Sequence, residues 1–152
     1  MLGFPLGRIL LTLGFFMALW PLGWPEAAPI VIVKDRDLSF GRCDNTPGAT
    51  YVVAAAELPG GAACTGAFSA RFSVTGDPGA KVRITSDNTI GITNGVDSIN
   101  VKSDQSPSGG NISLSAAGTL TIYMGGDGKI PPAGIPGPTT LSGSSILTVI
   151  YK

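Results

Sequence analysis

The clearest pattern in the chain is Phe68-Ser-Ala-Arg-Phe-Ser-Val-Thr-Gly-Asp-Pro-Gly-Ala-Lys-Val-Arg-Ile-Thr85, in which two alternating runs flank a proline–glycine turn. Apolar and polar side chains alternate with the period of a β-strand that has one buried face. Pro78 presets its own φ and Gly79 accepts a positive φ, so the pair suits a type II turn. The pattern predicts an antiparallel hairpin whose inward side chains need a second sheet to cover them. These are Phe68, Ala70, Phe72, Val74, Val82 and Ile84.

The composition is that of a protein built from strands and turns. The chain has 152 residues, which favours one domain, and it contains 22 glycines, 12 prolines and only 13% charged residues. Ten basic residues balance ten acidic ones, so the chain has no net field to attract nucleic acid or an anionic membrane. Histidine is absent, which removes the commonest general base and the commonest metal ligand.

Further short strands are predicted on both sides of the central pattern. No helical period follows residue 28, so the expected fold is an all-β antiparallel β-sandwich of immunoglobulin-like or pilin-like topology. Gly125–Lys129 lacks the spacing of a phosphate loop and is predicted to be a glycine-rich turn. The expected strands are Ile30–Val33, Leu38–Phe40, Thr50–Ala56, Thr89–Thr93, Ser98–Ser103, Thr119–Met124 and Ser145–Lys152.

The N-terminus has the pattern of a signal peptide. Arg8 supplies a positive charge, Ile9–Trp24 is an uncharged apolar run, and Ala27-Ala28 offers small residues for cleavage. We expect residues 1–27 to be removed, leaving residues 28–152 as one β-sandwich domain, since cutting after Ala28 would make Pro29 the first residue. The alternative is a retained membrane anchor, but the apolar run has 16 residues against roughly 20 for a full span.

Two cysteines in an exported chain favour a disulfide between Cys43 and Cys64. A metal site or a redox site is the alternative, and neither a Cys-x-x-Cys spacing nor a histidine supports it. The pair is therefore predicted to be a structural disulfide.

Strands at both ends of the predicted domain are apolar on both faces. Such strands must be covered on both sides, by their own domain or by another molecule. They therefore suggest assembly by strand addition, in which a terminal strand of one subunit pairs with its neighbour. The candidate assembly residues are Ile30, Val31, Ile32, Val33, Leu38, Phe40, Leu147, Val149 and Tyr151.

No catalytic constellation is recognisable, so we predict a protein that is not an enzyme and has no cofactor and no metal. Asp35 and Asp37 could contribute to a calcium site, but the favoured interpretation is a solvated charged step that interrupts an aggregation-prone strand. Asn111-Ile112-Ser113 fits the glycosylation pattern, and it matters only in a host that modifies such sites. Tyr51 and Tyr123 are the residues that a sugar-binding face could use.

Four segments resemble a bacterial exported family catalogued as domain of unknown function 4402. They are Leu38-Ser-Phe-Gly41, Ala70-Arg-Phe-Ser-Val-Thr-Gly-Asp-Pro-Gly-Ala80, Leu114-Ser-Ala-Ala-Gly-Thr-Leu120 and Leu147-Thr-Val-Ile-Tyr151. The resemblance implies Gram-negative-type export and a β-sandwich surface protein with no known activity or cofactor. The chain is also distantly similar to pilin and spore-coat U type subunits, which end in a strand with a penultimate aromatic residue, as Tyr151 is here.

The sequence therefore predicts an exported structural subunit that assembles by β-strand addition into a pilus-like fibre or surface layer. Its expected partners are copies of itself, and a periplasmic chaperone and an outer-membrane export pore are further candidates. We expect no nucleic-acid partner and no membrane contact after signal cleavage. The expected location is the periplasm, the cell surface or the extracellular space. The alternative is a self-complete secreted module for adhesion or matrix binding, and a weaker one is an exported enzyme or carbohydrate binder.

Overall fold

A computed structural model of the chain describes residues 26–57, 64–136 and 139–152. All regular structure in these ranges is β, which confirms the predicted antiparallel all-β class. Residues 1–25 of the predicted signal peptide lie outside the described residues. The strands are β1 (Val31–Arg36), β2 (Thr50–Val53), β3 (Ala70–Thr75), β4 (Lys81–Ser86), β5 (Thr89–Thr93), β6 (Ser98–Ser106), β7 (Ile112–Ser113), β8 (Thr119–Lys129) and β9 (Leu147–Tyr151).

The strands form a larger and a smaller sheet. The six-stranded sheet has the order β1-β3-β8-β6-β5, and β2 also pairs with β8. The three-stranded sheet has the order β7-β4-β9. Because β6 occupies one edge of β8, β3 and β2 share the other edge. There, β3 pairs with Thr119–Met124 and β2 pairs with Gly126–Lys129.

The central pattern does not form the predicted hairpin. The turn itself is as expected, since the N–H of Ala80 donates to the carbonyl of Asp77 at 3.2 Å and Gly79 has a φ of +72°. However, β3 pairs with β1 and β8, whereas β4 pairs with β7 and β9. Gly76–Ala80 is therefore an arch, a connection that crosses from one sheet to the other. The hairpin prediction was wrong because two strands that face each other across a core show the same alternation as two paired strands.

The arch places the alternating side chains in a core between the two sheets. Val74 of β3 faces Val82 and Ile84 of β4, and Ile122 from the middle of β8 is fully buried among them. Leu114 and Val149 complete this first cluster. Phe68, expected to face inward, lies just before β3 and is exposed, with the Arg36 guanidinium 5.5 Å from its ring centre.

A second core cluster lies under loops instead of under the smaller sheet. Its buried members are Tyr51, Ile99, Ile130 and Ile135, and Phe40, Cys43 and Cys64 are among the residues that pack against it. No residue of β4, β7 or β9 belongs to it. One end of the larger sheet is thus covered by irregular chain, which the sandwich prediction did not include.

The glycine-rich segment after Met124 continues β8 and is not a turn, so that prediction was wrong. A Cβ on Gly125 would lie 2.0 Å from the carbonyl oxygen of Val53, and a Cβ on Gly126 would lie 2.8 Å from that of Lys102. Neighbouring strands therefore approach β8 so closely on both edges that side chains do not fit. The glycines serve close packing, which is one of the reasons for glycine inside a strand.

Candidate functional site

The most exposed regular element is β1, at one end of the larger sheet. It pairs with β3 only, in the register Val31↔Thr75, Ile32↔Val74 and Val33↔Ser73. Because Val74 faces the core, Ile32 lies on the inward face, while Val31 and Val33 lie on the outward face. All three remain exposed, at 49%, 38% and 52% for Val31, Ile32 and Val33. The sequence led us to expect that both apolar faces of this strand would be covered, whereas the structure leaves both of them exposed.

The second half of β1 differs from the first. The register shifts between Lys34 and Arg36, which marks a β-bulge around Asp35. Asp35 accepts a 2.6 Å hydrogen bond from the Ser73 hydroxyl and lies 3.5 Å from Nε of Arg71. A bulge and charged side chains are features that protect an edge strand from pairing with other chains. Only the first half of β1 therefore remains an unprotected apolar edge.

The same charged groups were the alternative calcium ligands. Asp35 is engaged by Ser73, and Asp37 forms an ion pair with Lys34 at 2.7 Å. Within the described ranges, no group of three or more His, Cys, Asp and Glu side chains is placed to hold a metal ion. The arrangement of these carboxylates is that of surface ion pairs.

The remaining N-terminal candidates lie against the body of the domain. Ile30 packs against the first core cluster, and Phe40 packs against the second. Between them Leu38 is half-buried, next to the backbone bridge that joins Ser39 to Phe68. The segment from residue 30 to residue 40 is thus attached to its own domain at both ends, and the exposed part is β1.

The last strand divides its apolar residues between two faces, as the sequence predicted. Leu147, Val149 and Tyr151 pack in the first core cluster, so these three candidate assembly residues are part of the chain's own interior. Ile146 and Ile150 point away from it and are 71% and 51% exposed. β9 pairs with β4 and ends the smaller sheet on that side.

The two cysteines form the predicted disulfide. Cys43 and Cys64 are bonded, with their Cα atoms 4.4 Å apart, and both pack against the second core cluster. Next to them, Arg42 and Thr65 exchange two backbone hydrogen bonds. The bond thus ties the loop after β1 to the segment before β3.

A sugar-binding face built from Tyr51 and Tyr123 is not present. Tyr51 is a buried member of the second cluster, and its hydroxyl donates to the carbonyl of Asp44. Tyr123 lies half-buried on the outward face of the larger sheet. Since the two rings are on opposite faces of the larger sheet, they do not form one sugar-binding face. Asn111 of the glycosylation pattern is exposed, and its side-chain oxygen accepts a hydrogen bond from Nζ of Lys152.

Comparison with known proteins places the chain with one family. The family model described as Domain of unknown function (DUF4402) matches residues 30–151. No curated protein and no solved structure matches the chain significantly. In the part of the chain that the structure describes, no helix has the length and apolarity needed to span a bilayer.

Proposed function

The chain belongs to the DUF4402 family, and we propose that it is a non-enzymatic exported structural subunit whose copies associate along β1. One observation carries the proposal. Val31, Ile32 and Val33 are about half exposed on both faces of a strand that ends its sheet. Soluble proteins usually protect such an edge, because it is a template for pairing with another chain.

A second copy can satisfy both the backbone and the side chains of this edge. A strand added along β1 would supply main-chain hydrogen bonds, while alternate side chains would set the register. Full burial of one valine or isoleucine side chain is worth about 1.5–3 kcal/mol. Three half-exposed side chains therefore offer roughly 2–4 kcal/mol for each copy, before the entropy of association is subtracted.

Addition at the free edge fits this chain better than exchange of the strand itself. Exchange requires the donor strand to leave its own domain, and β1 is paired with β3 from Val31 to Arg36. Addition leaves that pairing intact. A fibre needs a second edge for the neighbour. Among the described strands β5, β7 and β9 also end a sheet, and we choose β9 because the apolar side chains of Ile146 and Ile150 are exposed there. Pairing of β1 with another β1 would instead close a twofold dimer.

Export to the periplasm, the cell surface or the extracellular space is part of the proposal. The Cys43–Cys64 disulfide supports it, because such bonds persist mainly in oxidising compartments. Fractionation of cells that express the full chain is the measurement. Retention of the chain in the cytoplasm would contradict this part of the proposal.

A self-complete adhesion or matrix-binding module is the second candidate. The observation that favours it is that both chain-end strands already have a partner in the same domain, β3 for β1 and β4 for β9. Such a domain needs no strand from a neighbour to complete its sheets. It would stay monomeric at all concentrations and use a surface patch for binding.

The experiment compares three forms of the chain that begins at Ala28. We expect the unaltered chain to form species larger than a dimer in size-exclusion chromatography with light scattering. Val31→Lys together with Val33→Lys should give monomers, since both positions lie on the outward face of the edge strand. Val96→Lys is the matched control, because Val96 is 91% exposed in the β5–β6 loop.

The outcomes separate the candidates. A single monomer peak for the unaltered chain contradicts self-association and favours the self-complete module. A dimer that does not grow contradicts the fibre and favours pairing of β1 with β1. Assembly that persists in the double lysine variant contradicts the role of β1, provided that circular dichroism shows the variant to be folded.

A further inference from the structure

The residue that follows the expected cleavage point is bonded to two distant parts of the domain. The backbone nitrogen of Ala28 donates to Oδ1 of Asp77, in the arch, at 2.8 Å. The hydroxyl of Tyr151, in the last strand, donates to the carbonyl oxygen of Ala28 at 2.6 Å. The same hydroxyl accepts a 2.8 Å hydrogen bond from the backbone nitrogen of Asp77. Both backbone groups of Ala28 are thus held by one small site.

The site is closely packed around its polar atoms. A Cβ on Gly76 would lie 2.4 Å from the Tyr151 hydroxyl and 3.0 Å from Cδ1 of Leu114, so only glycine fits beside the hydroxyl. The N–H of Gly76 also donates to the carbonyl of Gly118 at 2.9 Å, which fixes the start of the arch. The positions of Asp77 and Tyr151 are therefore set by the fold, independently of Ala28.

We propose that Asp77 and Tyr151 form a binding site for the N-terminus that signal cleavage creates at Ala28, in which the Asp77 carboxylate binds the new α-ammonium group and the Tyr151 hydroxyl binds the carbonyl oxygen. Hydrolysis breaks the bond between the carbonyl carbon of Ala27 and the nitrogen of Ala28. The hydroxyl of water goes to that carbon and the hydrogen of water goes to the nitrogen. At neutral pH the new carboxyl group of Ala27 loses a proton and the new amine gains one. A neutral amide 2.8 Å from the Asp77 carboxylate thereby becomes a cation.

Cleavage at this bond strengthens a contact that already exists, because a hydrogen bond between two ionised groups is stronger than one with a neutral donor. Cleavage one residue later would remove both Ala28 groups and leave the carboxylate of Asp77 and the hydroxyl of Tyr151 without them. The geometry therefore selects the bond between Ala27 and Ala28 as the cleavage point. It also ties Ala28, which precedes β1, to β9 through the Tyr151 hydroxyl.

This inference goes beyond the proposed function, since the same contact forms in a monomer or a fibre. It does require that the leader is removed. Its first test is the intact mass of the exported protein, with the mass of residues 28–152 as the expected result. A mature chain that starts at any other residue overturns the proposal.

The second test isolates the charge. Four proteins are released from a removable carrier. Two start at Ala28 and two have a single glycine before it, and in each pair one protein has Asp77 and the other has Asp77→Asn. The asparagine retains an oxygen acceptor without the charge. The measurement is the rate at which a limiting acylating reagent modifies the α-amine, followed by mass spectrometry. Pairing with a carboxylate favours the charged, unreactive form of an amine.

We expect the chain that starts at Ala28 to be acylated about 2- to 5-fold more slowly with Asp77 than with Asn, the range for an exposed ion pair. In the glycine-extended chain the ratio should be close to one, since the ammonium is moved away from Asp77. Equal rates for both residues in the chain that starts at Ala28 overturn the proposal. The glycine extension keeps the N–H and the carbonyl group of Ala28, and circular dichroism checks that the extended chain is folded. The measurement works on monomers, so a failure of assembly does not affect it.

Discussion

The hydroxyl of Tyr151 lies 2.8 Å from the backbone nitrogen of Asp77, so the last strand is bonded to the arch that joins the two sheets. These residues are 74 positions apart in the chain. The ring of Tyr151 packs against the first core cluster, while its hydroxyl reaches the arch and the carbonyl of Ala28. One side chain therefore connects the first residues of the described domain, the sheet crossing and the last strand.

Replacing this hydroxyl should destabilise the whole domain. Tyr151→Phe keeps the packed ring and removes one donor and one acceptor, which leaves the half-buried N–H of Asp77 without its partner. We expect a loss of about 1–2 kcal/mol in the free energy of unfolding, measured by urea denaturation at constant m-value. Tyr123→Phe is the control, because the Tyr123 hydroxyl takes part in no hydrogen bond between described residues, and it should change stability by less than about 0.5 kcal/mol. Equal stabilities of the two variants would contradict the connection.

The stability of the arch should fall when Gly118, in the connection between β7 and β8, is replaced by alanine. Gly118 has a φ of +71°, and a Cβ there would lie 2.2 Å from the carbonyl oxygen of Gly76. Gly118→Ala therefore combines backbone strain with a backbone clash, and we expect it to lower the free energy of unfolding by about 3 kcal/mol or more. The measurement is the midpoint of chemical denaturation.

Alanine substitutions at two other glycines separate the cost of backbone strain from the cost of the clash. Gly79 has a φ of +72° with open space around it, so Gly79→Ala should cost about 1–2 kcal/mol from backbone strain alone. Gly91 has open space without a positive φ, and Gly91→Ala should be nearly neutral. A tolerated Gly118→Ala would mean that the arch and the β7–β8 connection are not in contact.

The central pattern shows how far the sequence could predict this fold. Alternation correctly identified the inward residues Val74, Val82 and Ile84, and the Pro78-Gly79 pair correctly identified the turn. It could not identify the strand partners. The alternation of every second residue shows which face of a strand is apolar. A five-residue connection, however, allows either a hairpin or an arch, and the two differ only in which strands pair over long range.

The same limit applies to β8 and to the exposed edge. Gly125 and Gly126 suggested a turn because glycine is common in turns, whereas here the reason for glycine is the approach of β2 and β6. The apolar character of Val31–Val33 was visible in the sequence, and its exposure was not, since that depends on the position of β1 at the end of the larger sheet, where it pairs with β3 only. The first and last strands were therefore recognisable as special, while the structure shows that β1 keeps its apolar residues exposed on both faces and β9 packs one of its two apolar faces in the core.

The stability of the loop that covers the second cluster should depend on the side chain of Asn45. The side-chain oxygen of Asn45 accepts a 3.0 Å hydrogen bond from the N–H of Ile135, and its side-chain nitrogen donates to the carbonyl of the same residue. Ile135 is buried in the second cluster. Asn45→Asp keeps the acceptor and replaces the donor by a charged oxygen that faces a carbonyl.

We expect Asn45→Asp to lower the free energy of unfolding by about 2 kcal/mol, because it loses a hydrogen bond and leaves an acceptor without a donor. Hydrogen exchange should rise first near Ile135. Asn88→Asp is the control, since Asn88 is exposed and its side chain makes no hydrogen bond to another described residue. Equal effects of the two variants would contradict the bridging role of Asn45.

The disulfide should stabilise the domain most at the end of the larger sheet that the smaller sheet does not cover. Cys43 and Cys64 are 21 residues apart, and closing a loop of that length is worth about 3 kcal/mol in the chain-entropy model. Cys43→Ala with Cys64→Ala should lose about that free energy of unfolding, and reduction of the unaltered chain should lose a similar amount.

The loss of protection should also be local, because both cysteines pack against the second cluster and neither is among the residues that pack against the first. Hydrogen exchange should therefore accelerate around Tyr51 and Ile135 in the double variant, while β4 and β9 keep their protection. Uniform acceleration over both clusters would mean that the domain unfolds as one unit with no weaker end. An unchanged stability in both the variant and the reduced chain would mean that irregular chain alone is sufficient to cover this end of the sheet.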